Sequence, residues 1–498
     1  MNGRRFAGLL AVLMFALVAS ALHADSCVLD NGGCFSIVAG RKATADGSVL
    51  FGHNEDSGVK SVAGMEKVAR VEHPDGEWVV LPGGGRIPQA RITFGYWRLR
   101  MPEFDFSDCF MNEHGVTLAS DECASREDKP EFTDGGVGGP SLRILVMERA
   151  RNAREGVELI GSLIERFGYI ASGRTMMVCD PAEGWIVAMV NGKHWVARRV
   201  PDSEVAAIAN TYTIREIDLA DRKNFLGSLD IVDYAVRRGW YDPAKGTFSF
   251  EAAYASNTRE SIENTHRQWS ALRHLAASPV PLPEEARLPF SVKPKKPLEV
   301  RDITEALRDH YENTPYEPAK YDTKPAHKRH TTSICNPNTN TSSVFQLRSR
   351  MPADIGAVWW LADRQPCTTP YIPFYLGTNA CPAELAFATD PGRFTIGGSE
   401  PAPTPGPLYV TLGKLALWVE ADYAGRIGRI RELWNAMEEA GFRLQQPFEK
   451  LLAGEWKRDP ALARELLTRS TRGVIAQTLQ DAREIMGTSG AGGDRGKR

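Results

Sequence analysis

Near the start of the sequence a thiol and a run of polar groups stand at a spacing that brings them together. Cys34-Phe35-Ser36-Ile37-Val38-Ala39-Gly40 reads as a strand, Asp46-Gly47-Ser48 as a turn, and Val49-Leu50-Phe51-Gly52 as a second strand that runs into His53-Asn54-Glu55-Asp56. An Asp-Gly turn between two such runs folds the second back along the first, which returns the polar end to the cysteine. A thiolate attacks a carbonyl carbon well, but a thiol with a reference pKa of about 8.5 is mostly protonated near neutrality and needs a base beside it. If Cys34 were a chain terminus, its own amine, with a reference pKa of about 7.7–8.0, could take the proton directly or through one water, and no histidine base would be needed. Gly32-Gly33 just before it makes backbone cleavage there feasible, since paired glycines reach dihedrals that a strained bond requires. A lone cysteine reads first as buried or disulfide-bonded; the polar block returned to it argues for chemistry instead.

Further motifs extend this block: Asn112-Glu113-His114-Gly115-Val116, Ala209-Asn210-Thr211-Tyr212, Thr331-Thr332-Ser333, Val344-Phe345-Gln346-Leu347-Arg348 and Val358-Trp359-Trp360. With them the sequence resembles the dipeptidases of the N-terminal-nucleophile (Ntn) hydrolase superfamily, relatives of dipeptidase A and the secernins, over most of the chain after residue 33. The resemblance implies an α/β (α+β) fold, a four-layer αββα sandwich, over residues 34–400. It also implies a catalytic cysteine exposed by removal of what precedes it, a thioester intermediate, dipeptide or short-peptide substrates and no cofactor. By the same resemblance Asp56 corresponds to the acid that holds the new amino terminus and thiol in attacking geometry; otherwise it is a carboxylate capping the hairpin end. His53 stands where many relatives carry arginine or lysine, and an ordinary histidine loses its charge around pH ~6.5, so the help a cation gives there becomes pH dependent. Asn210 looks like the family's amide donor to an oxyanion, and Asn112 at a hairpin tip is a second such candidate, or simply a turn former. Arg267, in Asn264-Thr265-His266-Arg267-Gln268-Trp269, resembles the arginine beside the nucleophile in related acylases; the other reading is a surface-helix arginine. Asp121-Glu122 could meet a substrate amine or be solvated loop acids.

Other readings stay open. The same constellation serves amidases that open penicillin V or conjugated bile salts; greater length and the 331–360 block favour a dipeptidase. His53, Glu55 and Asp56 could instead be metal ligands in an exported binding protein, although alternate strand positions face opposite ways, so His53 and Glu55 share a face that Asp56 does not. An inactive, exported structural relative is the third.

The elements that must position these groups are readable in outline. Arg4-Arg5, an apolar run from Phe6 to Ala19 and Ala19-Ser20-Ala21 follow the plan of a secretory signal over 1–24, with a short propeptide over 25–33. The apolar run is short for a membrane span, and the arginine pair is also compatible with twin-arginine export. The mature chain is thus expected to be secreted or periplasmic, without stable membrane insertion. With 498 residues and a formal net charge of −2, one large α/β body with an appendage is expected. No basic run is long enough to track a phosphate backbone, which excludes nucleic acid as a partner; His327-Lys328-Arg329-His330 is the densest cluster and reads as a loop. Of eight cysteines, Cys27 falls in the propeptide, and Cys109 with Cys123 and Cys367 with Cys381 are the pairs near enough in sequence to bridge, buried free thiols being the other reading. No Cys-x-x-Cys motif suggests structural zinc.

Residues 109–120 read as two strands around Asn112-Gly115, and 140–167 as two helices with Pro140 near the first start. Residues 175–199 form a meander punctuated at Asp180-Pro181 and Asn191-Gly192. Proline-rich 280–297 reads as an extended crossover, 343–362 as a hairpin, and 401–486 as a C-terminal helical region, followed by a Gly-rich disordered tail over 487–498. Exposed hairpins and the C-terminal helices could support a homo-oligomer.

Overall fold

The computed structural model describes residues 33–57, 62–101, 106–133, 135–256, 262–317, 333–388 and 404–488. The expected signal segment and the expected propeptide up to residue 32, the basic cluster at 327–330, Thr331-Thr332 and residues 489–498 lie outside the described residues.

The first hairpin forms as its sequence dictates. β1 (Phe35–Ala39) and β2 (Val49–Glu55) are buried throughout and pair antiparallel, Phe35 opposite Asn54, Ser36 opposite His53 and Ile37 opposite Gly52. Asp46 Oδ1 accepts from the Ser48 amide at 3.0 Å and Gly47 sits at φ +77°, a left-handed conformation that suits glycine. β3 (Gly64–Val68) follows, then two short ribbons, β4 (Val71–Glu72) with β7 (Ile92–Thr93) and β5 (Trp78–Val80) with β6 (Arg86–Pro88). An eight-stranded sheet contains, in spatial order, β15 (Phe225–Gly227), β13 (Trp195–Arg199), β12 (Gly184–Gly192), β11 (Tyr169–Cys179), β10 (Thr117–Glu122), β9 (Phe106–Asn112), β8 (Tyr96–Met101) and β3. A six-stranded sheet runs β14 (Val205–Ile208), β1, β2, β16 (Thr341–Leu347), β17 (Ala357–Asp363) and β18 (Ile372–Tyr375).

Strand alternation fixes the layers. Val38, Val49, Phe51, Phe345 and Trp359 of the smaller sheet pack against Trp97, Met111, Met177, Ile186 and Val196 of the larger in one shared core. On its other face the larger sheet turns Phe110, Leu118, Met176 and Trp185 toward α1 (Gly139–Arg149) and α2 (Ala153–Phe167), through Leu142, Val146, Val157, Ile160 and Ile164. Two short helices, α3 (Ile231–Arg237) and α4 (Phe250–Tyr254), add Ile231, Tyr234 and Phe250 to the inter-sheet core. The outer face of the smaller sheet turns Phe35, Ile37, Leu50 and Val358 toward α5 (Ile262–Leu275) and α6 (Val300–Leu307), through Ala271, Leu272, Ile303 and Leu307. The result is a four-layer αββα sandwich. The one-turn α7 (Ala353–Gly356) joins β16 to β17, and a C-terminal helical region, α8 (Pro407–Ala421), α9 (Tyr423–Trp456) and α10 (Pro460–Thr488), covers β17 and β18. α10 continues through Thr488, past Gly487, where the sequence reading ended the helices. Among the described residues, no helix is long and apolar enough to cross a membrane.

The proposed disulfides are corrected: none of the seven described cysteines is in a disulfide. β10 pairs Leu118 with Phe110, so Cys123 lies four residues beyond the position facing Cys109, roughly 13 Å along the strand, which a disulfide cannot span. Cys381 donates to the Met65 carbonyl at 3.2 Å, while Cys367 lies in a cluster with Cys335 and His310.

Candidate active site

β2 delivers side chains to both of its faces. Val49 and Phe51 belong to the inter-sheet core and Leu50 to the helix-side core. By the same alternation His53 and Glu55 point between the sheets, whereas Asn54 and Asp56 point to the helix layer. Asn54 confirms its side, donating to the Leu307 and Ile334 carbonyls at 3.0 and 2.9 Å. Cys34, just before β1, sits where the two environments meet.

On the helix side, the buried Asp56 carboxylate accepts from Asn336 Nδ2 at 2.6 Å and Thr339 Oγ1 at 2.7 Å, and lies 4.0 Å from Arg267 Nη1. Pairing of β16 with β2, Thr341 opposite Glu55, carries the preceding loop around Asp56. Burial raises the Asp56 pKa to about 7, against the opposing pull of Arg267, Thr339 and Asn336. Arg267 projects from α5 on the stripe that includes Ala271 and Leu275. It is only 4 % exposed; it is no surface-helix arginine. Its Nη1 donates to the carbonyls of Gly33 and, at 3.2 Å, Cys34, and its Nη2 to Asn210 Oδ1 at 2.8 Å and Asn264 Oδ1 at 2.6 Å. Asn210 arrives because β14 pairs with β1, Ser36 opposite Ile208, which brings the end of β14 beside Cys34. Its Nδ2 donates to the Glu122 carbonyl at 3.0 Å, and its side chain packs so closely on Gly33 that a Cβ there would collide with it.

On the inter-sheet side, Cys34 Sγ lies 3.4 Å from Glu55 Oε2, and His53 Nε2 lies 3.5 Å from the same oxygen and 3.1 Å from Asp108 Oδ2. His53 Nδ1 meets Ser36 Oγ at 2.9 Å and stands 3.7 Å from Asp121 Oδ1; Arg143 Nε lies 3.7 Å from Asp108 Oδ1. Asp108 reaches inward because β9 bulges: the β8–β9 register shifts between Arg98 and Leu99, and Cys109, at φ +57°, is the extra residue, so Asp108 and Cys109 both face the inter-sheet core. Burial opposes charge on His53, but Cys109 and Asp108 raise its pKa well above the ordinary value. Since burial also pushes Cys109 up to about 12, its thiol is neutral near pH 7 and Asp108 is the effective partner. Asp108 thus favours the imidazolium form of His53 against burial, moving its loss of charge above that of an ordinary histidine. Asp108 is pushed up by burial but held below the ordinary carboxylate range by His53 and Arg143. Burial raises Glu55 and Asp121 to about 7. Burial and Glu55 push the Cys34 thiol well above its ordinary value, while His53 draws it down.

Cys34, His53, Asp56, Asn210 and Arg267 thus converge, and Asn112 does not. Its Nδ2 donates to the Met147 and Ala150 carbonyls at the end of α1, at 3.0 and 2.8 Å, and its Oδ1 accepts from the His114 and Val116 amides. Both amide hydrogens are consumed in holding a turn, so Asn112 is a structural residue. Asp121 is no solvated loop acid: it is fully buried on β10, while its neighbour Glu122 is exposed. A metal set of His53, Glu55 and Asp56 is also corrected, since Asp56 faces away and Asp108 takes the third place. Sequence reading missed Asp108, Asn264, Asn336 and Thr339; the polar run Asn336-Pro337-Asn338-Thr339-Asn340 was a visible signal.

A family model described as Peptidase family C69 matches residues 33–395. The chain belongs to peptidase family C69. As a C69 member it is an enzyme acting on peptide bonds. Among curated relatives, a probable dipeptidase of Latilactobacillus sakei is 29% identical over 378 residues, covering 74% of this chain and 79% of that protein. A probable dipeptidase of Salmonella dublin is 28% identical over 359 residues, covering 69% and 81%. Among solved structures, penicillin V acylase from Agrobacterium tumefaciens aligns with a TM-score of 0.35 at 12% identity over 72% of this chain and 89% of that one. A variant conjugated bile acid hydrolase from Clostridium perfringens aligns with a TM-score of 0.35 at 11% identity over 75% and 97%.

Proposed function

We propose that this C69 peptidase is an exported dipeptidase whose nucleophile is Cys34, made N-terminal by cleavage of the Gly33–Cys34 bond. The observation that carries the reading is Arg267 donating to the Gly33 carbonyl while Glu55 stands 3.4 Å from the Cys34 thiol. The bond to be cut is flanked by a fixed cation on its oxygen and a proton acceptor near the attacking sulfur. Before cleavage Cys34 has no free amine. Glu55, with a pKa near 7, is matched to take the thiol proton at neutral pH. Sulfur then attacks the Gly33 carbonyl carbon, the C–N bond breaks as its nitrogen is protonated, and water hydrolyses the resulting thioester to leave a Gly33 carboxylate and a free Cys34 amine.

In the mature enzyme the amine replaces Glu55 as base. The thiol proton passes to it, sulfur adds to the substrate carbonyl, and Arg267 with Asn210 faces the developing oxyanion. Collapse expels the first product as an amine that takes the proton back, and water releases the second from the thioester. Asp56, anchored by Asn336 and Thr339, holds Arg267 and the new amino terminus on one side. The names of the Latilactobacillus sakei and Salmonella dublin relatives support dipeptides as the substrate class.

Intact-mass measurement and N-terminal sequencing of protein from an exporting host, in wild type and Cys34→Ala, test this. A wild-type chain beginning at Cys34, with residues 25–33 retained in the variant, is the expected result. A wild-type chain that keeps those residues while hydrolysing dipeptides removes the amine base and the mechanism with it.

A further inference from the structure

A second cluster of reactive side chains lies outside this site. His310 follows α6, Cys335 lies in the loop before β16 and Cys367 in the turn after β17. All three are buried, and one ligand atom from each lies within 4.8 Å of the others. The three come from segments that other contacts already fix. The Cys335 amide donates to the Asp309 carbonyl at 3.1 Å, Ser333 Oγ donates to the Cys335 carbonyl at 2.6 Å, and Gln365 Nε2 donates to the Pro337 carbonyl at 3.0 Å. The imidazole is oriented from behind, Nδ1 meeting Glu312 Oε1 at 3.0 Å, while Glu312 Oε2 accepts from the His310 amide at 2.8 Å. The Glu312 carboxylate on one ring nitrogen fixes the orientation of the imidazole beside the two thiols, the arrangement that supports histidine as a metal ligand.

We propose that His310, Cys335 and Cys367 bind a zinc ion. Two thiolates and an imidazole are a soft-to-borderline donor set that suits zinc and suits calcium or magnesium poorly. Three protein ligands leave a fourth position for water or a further ligand. Binding exchanges the two thiol protons for the divalent ion, so the buried site becomes neutral and two protons leave for solvent. The missing Cys-x-x-Cys motif does not argue against such a site: 31 residues separate Cys335 and Cys367 in sequence, and the β16–β17 hairpin reunites them. Because Cys335 adjoins Asn336, the ion fixes the loop whose Asn336 and Thr339 grip Asp56. The proposal stands without the peptidase mechanism, since it concerns metal content.

Elemental analysis of the full chain, purified without chelators from zinc-containing medium, tests it. About one equivalent of zinc per chain is expected, released when an organomercurial blocks the thiols and read with a chromogenic indicator. Cys367→Ser and His310→Gln are expected to hold at least roughly tenfold less zinc, while Cys381→Ser, outside the cluster, retains it. Cobalt replacement is expected to give sulfur-to-metal charge-transfer absorption in wild type. Wild-type protein without stoichiometric metal, or zinc unaffected by the mercurial, overturns the proposal. So does peptide mapping under non-reducing conditions that finds Cys335 and Cys367 joined as a disulfide. The wild-type measurements stand even where a variant fails to fold.

Discussion

The two faces of β2 hold their polar groups in different ways. On the helix side, Asp56 and Arg267 sit in a lattice of directed hydrogen bonds: Asn336 and Thr339 on the carboxylate, and Asn210, Asn264 and two backbone carbonyls on the guanidinium. On the inter-sheet side, His53, Glu55, Asp108, Asp121 and Arg143 are bound chiefly by opposed charges at 3.1 to 3.7 Å. Directed bonds fix where a donor stands, whereas compensated charges fix which groups carry protons. Cys34 takes its geometry from the first face, through its backbone, and its ionisation from the second, through its sulfur.

Breaking the geometric face is expected to cost most. Arg267→Met should lower kcat by roughly 10²–10³, the loss typical of one oxyanion donor, and slow release of residues 25–33, as measured by steady-state kinetics and intact mass. If Arg267→Met is silent while His53 variants abolish turnover, the division between the faces is reversed. Asp56→Asn keeps the shape but not the charge opposite Arg267, and a loss of roughly 10-fold to 10²-fold in kcat is expected, checked by dipeptide kinetics beside circular dichroism to exclude unfolding.

The charged face should respond in pH rather than in geometry. His53 is raised well above its ordinary pKa and draws the Cys34 thiol down. His53→Gln therefore moves the rising limb of Cys34 alkylation by iodoacetamide to higher pH, by about one unit, with roughly tenfold slower reaction at neutral pH. His53→Arg, which keeps a cation, should leave the limb in place; a similar shift in both variants would assign the effect to shape. The last effect is on stability. Asp121 carries a folded pKa of about 7 against about 3.9 unfolded, so the folded state binds the extra proton between those values. The stability this confers is full below pH ~4 and is lost as pH rises through about 7, above which the buried anion opposes folding. Asp121→Asn should accordingly gain about 4 kcal/mol at pH 8 and little at pH 4, read as denaturant midpoints at the two pH values. A gain that is the same at both would sink the assignment.

The hairpin was legible in the sequence because alternation and an Asp-Gly turn are local signals. The layer order came from resemblance rather than periodicity, as did the roles given to Asn210 and Arg267. What escaped depends on distant pairing or local irregularity. Asn336 and Thr339 reach Asp56 across 280 and 283 residues, and only the β2–β16 ladder brings them there. Asp108 faces His53 because of the Cys109 bulge, which simple alternation does not announce. Asn112 misled for the opposite reason: an asparagine at a hairpin tip looks available, but the last carbonyls of α1 absorb its hydrogens.

The strict in-and-out alternation of β2 has a consequence for quality control during synthesis. A one-residue slip against β1 or β16 would exchange its two faces, sending Asn54 and Asp56 toward the inter-sheet core and stranding His53 and Glu55 under the helices. Such a misfolded chain would lack Glu55 and His53 beside the Cys34 thiol. On the proposed maturation, only a chain in the native register would release its leader, so persisting precursor would count failed folding.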